Sequence, residues 1–157
     1  MKALVVYYSR TGTTKALADT LAKELGADME EIVDLKNRRG IFGFLSAGYS
    51  AYRKSLTNIK PPEKDPSAYD TVLLGTPIWA SNITPALRTY IVQKKDALKQ
   101  KKVAFFMTYS GTGMEKAMKS LTDLYGALPA ASLEIVKGIE AGKFKEKLDA
   151  FMAKLKS

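Results

Sequence analysis

Five times along the chain a short apolar run gives way to a helical rhythm. Ala3-Leu4-Val5-Val6-Tyr7-Tyr8 is a continuous apolar stretch and predicts a buried first strand. Leu17, Ala18, Leu21, Ala22 and Leu25 then recur on one face of a helix, which Gly26 ends as a natural C′ residue. Met29 to Leu35 predicts a second strand, interrupted by charge. Thr71-Val72-Leu73-Leu74-Gly75 predicts a buried third strand. Thr84 and Pro85 suit the N-cap and first position of a helix whose apolar face carries Leu87, Tyr90 and Ile91. Lys102 to Thr108 predicts a fourth strand, and Met114 to Tyr125 a helix stopping at Gly126. Ser132 to Val136 predicts a short fifth strand. Lys143 to Lys156 closes the chain as a helix with Phe144, Leu148, Phe151 and Leu155 on one side.

Residues 36–60 are the least regular part. Lys36, Arg38 and Arg39 open the segment, and Gly40 and Gly43 loosen it. Phe42, Leu45, Tyr49 and Tyr52 recur at intervals of three and four, which predicts an amphipathic helix. The stripe is expected to pack on the sheet as the second crossover. A membrane-surface helix or a lid over a ligand is the alternative use. Pro61, Pro62 and Pro66 then mark an irregular connection.

Strands alternating with helices predict one doubly wound α/β domain spanning residues 1–157, with a five-stranded parallel sheet covered on both faces. The expected strand order is 2-1-3-4-5, whose switch point lies between strands one and three. Polar loops at 9–14, 76–82 and 108–113 follow strands one, three and four and should converge at that crevice.

The first loop, Ser9-Arg10-Thr11-Gly12-Thr13-Thr14, joins a strand to a helix. A helix N-terminus offers unpaired N–H groups and a partial positive charge. Four hydroxyls surround it, and Gly12 leaves an approach open. Such a turn can hold a phosphate, although an ordinary capped helix uses the same residue types. Neither G-x-x-x-x-G-K-(S/T) nor a post-strand G-x-G-x-x-G is present. The second loop carries Trp79, the only tryptophan, which serves either packing or the stacking of a planar ring. In the third, Tyr109 is a further stacking group, and Gly111 and Gly113 admit backbone N–H groups to a ring edge.

Composition narrows the chemistry. There is no cysteine and no histidine, which excludes thiolate catalysis and disfavours a zinc site; no metal site is expected. Redox work would need an organic cofactor. No apolar run is long enough to span a bilayer, and the N-terminus enters a strand pattern directly. A cytoplasmic location and no membrane insertion are therefore expected. The net charge of +9 comes from dispersed lysines. It reads first as a solvated, lysine-rich surface; attraction toward acidic protein partners or anionic substrates is the next reading, and no motif supports nucleic acid. A phosphorylation receiver is excluded, because Ser9-Arg10 and Gly75-Thr76 stand where its acidic residues would be.

The pattern (Ser/Thr)-x-Thr-Gly-x-Thr, met by Ser9, Thr11, Gly12 and Thr14 directly after the first strand, resembles the FMN-phosphate loop of flavodoxins. The tryptophan-bearing and glycine-bearing loops match that family by position. The resemblance covers essentially the whole chain and implies a short-chain flavodoxin-like fold. It implies that the Ser9, Thr11, Thr13 and Thr14 hydroxyls and the N–H groups of Arg10 to Thr14 hold the phosphate of FMN. Thr76 and Pro77 would border the ribityl chain. Ile78, Trp79 and Ala80 would lie along the isoalloxazine, and Thr108, Tyr109, Ser110, Gly111 and Gly113 would flank its pyrimidine edge. No residue is assigned a catalytic role, since electron chemistry belongs to the flavin. The implied function is electron transfer between redox proteins, acidic ones among them; the alternative is an NAD(P)H-dependent FMN quinone reductase, with Arg38, Arg39 and Arg53 as candidates for a nicotinamide phosphate. An empty, degenerate domain is a third reading. The chain departs from the family in three ways. It is basic where flavodoxins are acidic. It has Ala80 where glycine is common. Its 36–60 segment is long and aromatic.

Overall fold

The computed structural model describes residues 1–157. Strand β1 (Ala3–Tyr7) leads into α1 (Thr13–Leu25), β2 (Asp28–Glu31) and α2 (Gly40–Tyr52). A 3₁₀ turn at Pro66–Ala68 precedes β3 (Thr71–Trp79), β4 (Asn82–Ile83) and α3 (Pro85–Lys99). Strand β5 (Lys102–Tyr109), α4 (Met114–Tyr125), β6 (Ser132–Val136) and α5 (Ala141–Lys156) complete the chain.

The sheet order is β2-β1-β3-β5-β6, all parallel. This is the expected doubly wound arrangement, corrected by one strand. The sixth, β4, is two residues long and pairs antiparallel with β3, Trp79 opposite Asn82. The 76–82 stretch is therefore not a simple loop. β3 runs on to Trp79, and Ala80 and Ser81 turn the chain straight back.

Alternation along each strand builds the two faces. Leu4 and Val6 of β1, Val72 and Leu74 of β3, and Val103, Phe105 and Met107 of β5 join the core beneath α3 and α4. Val5, Tyr7, Leu73, Ala104 and Phe106 join the other, beneath α1 and α5. Gly75 belongs to the second face and must lack a side chain, because a Cβ there would collide with the Phe106 ring. Burial on both faces explains why these strands read as unbroken apolar runs.

Three further expectations are corrected. β2 stops at Glu31 rather than Leu35. Asp34 leaves the sheet to pair with Arg38, and the side chains of Val33 and Leu35 face solvent. The α2 stripe does not pack on the sheet. The helix buries Gly43, Ala47 and Ala51, while Phe42 is 84% exposed and Leu45, Tyr49 and Tyr52 at least 60%. Gly43 explains the inversion, since a Cβ there would strike the Arg38 backbone. The buried side of the helix carries only small residues, with the segment at Arg38 folded against Gly43. The last helix starts at Ala141 rather than Lys143, capped by the Glu140 side chain on Gly142 N–H.

Candidate functional site

The carboxyl ends of β1, β3 and β5 lie side by side, with Val6 opposite Leu74 and Pro77 opposite Thr108. The three loops leave the sheet there, and each touches the other two. The hydroxyls of Thr14 and Thr108 are hydrogen-bonded at 2.7 Å in a buried position, joining the first loop to the third. Tyr8 meets Trp79 edge to face, with ring centroids 5.5 Å apart, joining the first strand end to the second loop. Gly113 lies against Ser81 so closely that a Cβ would overlap it, joining the third loop to the second.

The first loop is shaped as an anion cradle. Ser9 Oγ accepts the Gly12 N–H at 3.0 Å, and Gly12 has φ +97°, which folds the chain tightly before α1. The leading N–H groups of α1, on Thr13, Thr14 and Lys15, find no acceptor within the protein. They lie beside the exposed Thr11, Gly12 and Thr13. The Thr14 hydroxyl is engaged by Thr108, so Thr14 offers its N–H more directly than its side chain. Arg10 turns away from the loop mouth. Its Nε donates to Arg38 O at 2.9 Å, and its guanidinium lies 5.6 Å from the Phe44 ring centroid.

The second loop is a two-residue hairpin turn. Ala80 (φ +47°) and Ser81 (φ +59°) are both left-handed, a conformation for which glycine or asparagine is usual. Each costs about 1–2 kcal/mol in a side-chain-bearing residue. The turn persists because its base is fixed. Asn82 Oδ1 accepts from Ile83 N–H and from Arg88 Nη2, each at 3.0 Å. Thr76 Oγ1 and Thr84 Oγ1 are 3.1 Å apart behind it. Trp79, Pro77 and Ile78 are half-buried, and Ala80 is exposed at the tip. In the third loop Thr108 is buried, Tyr109 half-buried, and Ser110 and Gly111 exposed, with Gly111 at φ +92°. The rim therefore presents aromatic edges, a flat turn and open backbone between two glycines.

Two buried arginines stand near the rim. Arg88, 6% exposed, bonds Asn82 and Ser120 and has no carboxylate partner; burial pushes its guanidinium below the usual value. Arg38 is also buried, paired with Asp34 at 2.6 Å, and its guanidinium lies 5.9 Å from the Trp79 ring. It is thus committed inside the protein, whereas Arg39 and Arg53 remain exposed. Burial, reinforced by Asp34, pushes the Tyr8 hydroxyl up to about 12, so it remains a neutral phenol.

Sequence reasoning overlooked Ser81, Asn82 and Arg88. Nothing in the string Ala-Ser-Asn announces a hairpin, because turn chemistry would favour glycine there. Arg88 reads as an ordinary polar position of α3.

A family model described as a flavodoxin domain matches residues 50–139, more than half of the chain. No curated protein matches. Among solved structures, a flavoprotein in complex with FMN from Lactobacillus acidophilus NCFM is 20% identical. It aligns over 96% of this chain and 98% of its own, with a TM-score of 0.74. A second similar structure comes from Bacteroides eggerthii DSM 20697. It is 26% identical, covering 96% and 98% of the two chains, at a TM-score of 0.70. Oxidised flavodoxin 1 from Bacillus cereus is 17% identical over 99% and 98%, at 0.58. With sheet order, loop placement and family model in agreement, the chain belongs to the flavodoxin domain family.

Proposed function

We propose that this protein binds FMN where the three loops meet and carries electrons between redox proteins. The observation that carries the reading is the mutual closure of the loops through Thr14–Thr108, Tyr8–Trp79 and Gly113–Ser81. It sets an anion cradle beside an aromatic rim, which fits a ligand with a phosphate at one end and a flat heterocycle at the other. The unpaired N–H groups at the start of α1 would hold the phosphate. Trp79 and Tyr109 would flank the ring, and the open backbone at Ser110 and Gly111 would meet its polar edge. The bound flavin supplies the electron-accepting and electron-donating chemistry. The chain's part is to grip, orient and bias it. Buried, carboxylate-free Arg88 lies behind the turn and favours negative charge at the rim.

The carrier reading is preferred to an NAD(P)H quinone reductase on two grounds. The chain has no histidine or cysteine to move a proton to a bound acceptor, and Tyr8 holds its proton to about 12. Arg38, one candidate for a nicotinamide phosphate, is spent on Asp34. The test is a turnover assay on purified, FMN-loaded protein. The carrier reading expects no turnover with NAD(P)H and a quinone, and reduction by a ferredoxin-type reductase. Sustained quinone reduction by NAD(P)H would replace it with the reductase reading.

A further inference from the structure

The outward face of α2 has no role in the site and is the least protein-like surface on the molecule. Of the twelve large apolar side chains that are exposed, nine fall between Val33 and Leu56. Ile41, Leu45 and Tyr52 run along the midline of the helix at 60–71% exposure, with Phe42 and Tyr49 on one shoulder and Phe44 on the other. No charged residue interrupts them, and the helix holds no acidic residue at all. Its inner face is Gly43, Ala47 and Ala51. This inverts the usual amphipathic pattern, in which large residues face the core. An apolar surface of this breadth on a small domain marks a contact site.

Charge decides what covers it. Lys36 and Arg39 stand exposed at one end, and Arg53 and Lys54 at the other. A second copy laid antiparallel on this helix would set basic end against basic end. An occupant that is apolar in the middle and anionic at its surface satisfies both features. Exposed tyrosines, and cations on long stems, suit the boundary between water and acyl chains. The convex arc of protruding side chains suits a deformable apolar phase. We propose that α2 is an interfacial helix that seats the protein on an anionic lipid surface, lying in the headgroup region without crossing it. No helix in the protein is long and apolar enough to span a membrane.

The seat has a consequence for orientation. Arg10 ties the start of α2 to the anion cradle through Arg38 O and through Gly40 O at 3.4 Å. Arg38 reaches from the same corner to the Trp79 ring. A protein resting on α2 therefore holds the Trp79 side of the rim next to the lipid surface. The seating does not depend on which ligand the rim takes.

Co-sedimentation with vesicles tests this, using the whole protein as purified. Vesicles of equal parts phosphatidylcholine and phosphatidylglycerol should carry it down. Phosphatidylcholine vesicles should not, and salt should release it. Phe42→Ser/Leu45→Ser keeps every charge and both positions are solvent-exposed, so the fold, checked by circular dichroism, should persist while vesicle binding falls at least tenfold. Lys36→Gln, Arg39→Gln and Arg53→Gln should each weaken binding about fivefold. Leu128→Ser, an exposed apolar position elsewhere, should change nothing. Failure to sediment with anionic vesicles overturns the proposal. So does sedimentation indifferent to Phe42→Ser/Leu45→Ser, which would be net charge alone. A solution dimer that this double variant converts to monomer would assign the face to a second copy instead.

Discussion

A single pair of hydroxyls holds two of the three loops together. Thr14 and Thr108 are each at least 95% buried and bonded to one another. Replacing one by valine leaves the other unpaired in the interior, which costs about 1–3 kcal/mol, whereas replacing both removes the unmet need. Thr14→Val and Thr108→Val should therefore each destabilise by about that much, and the double variant by clearly less than their sum. Urea unfolding of the four proteins measures this; simple additivity would mean the bond is incidental. Ala80 works in the opposite sense. It holds a left-handed conformation at the tip of the turn, as strained residues at binding sites often do. Ala80→Gly should raise stability by about 1 kcal/mol, or roughly 2–4 °C in Tm for a chain of this size. An unchanged or lower Tm would show that the turn is not strained at this position. The tight turn at Ser9, Thr11, Gly12 and Thr14 was legible in the sequence because a strand-to-helix turn favours hydroxyls and glycine. The strain at Ala80 and Ser81 was not, because it breaks the local preference such reasoning relies on.

Elements with a buried side read clearly from the sequence. The strand runs of β1, β3 and β5 and the faces of α1, α3 and α5 follow directly from apolar spacing. Helix α2 was legible as a helix but not in its orientation. Periodicity reports which side is apolar, and it equates that side with the core. Here Gly43 and the alanines select the inner face by size. The segment leading into α2 is held by polar contacts that no periodicity reveals. Asp34 accepts from Arg38 Nε, from Thr57 Oγ1 and from Lys36 N–H. Its side chain is only 3% exposed, and that of Arg38 4%. Removing one partner of a buried pair costs about 3–5 kcal/mol, because the remaining charge is stranded. Asp34→Ala should destabilise by that order and raise amide hydrogen exchange in α2 ahead of β1 and β3. A loss under 1 kcal/mol, with exchange in α2 unchanged, would contradict the assignment of Asp34 as the anchor.

At the scale of the molecule, the parallel sheet and its switch point bring distant loops together. That much followed from counting alternations. The short hairpin strand β4 escaped the count because two residues are too few for any period. Buried phenols shape the global pH response. Tyr8 holds its proton to about 12 in the folded protein against about 10 when unfolded. The folded state thus keeps a proton that the unfolded state gives up, so the Tyr8 contribution to stability should be constant up to about pH 10 and fall as pH rises from there toward 12. Unfolding by urea at stepped alkaline pH, compared with Tyr8→Phe, checks the sign. The substitution should flatten the decline.

The claim on which everything turns is that one end of the joined loops grips a phosphate while the other end grips a ring. Titrating the flavin-free protein with FMN and with riboflavin, followed by quenching of flavin fluorescence, separates those two ends. Two or more charge-assisted hydrogen bonds to the phosphate, each of about 1.5–3 kcal/mol, should make FMN bind at least about a hundredfold tighter than riboflavin. Equal affinity for the two, or no quenching by either, would contradict the account.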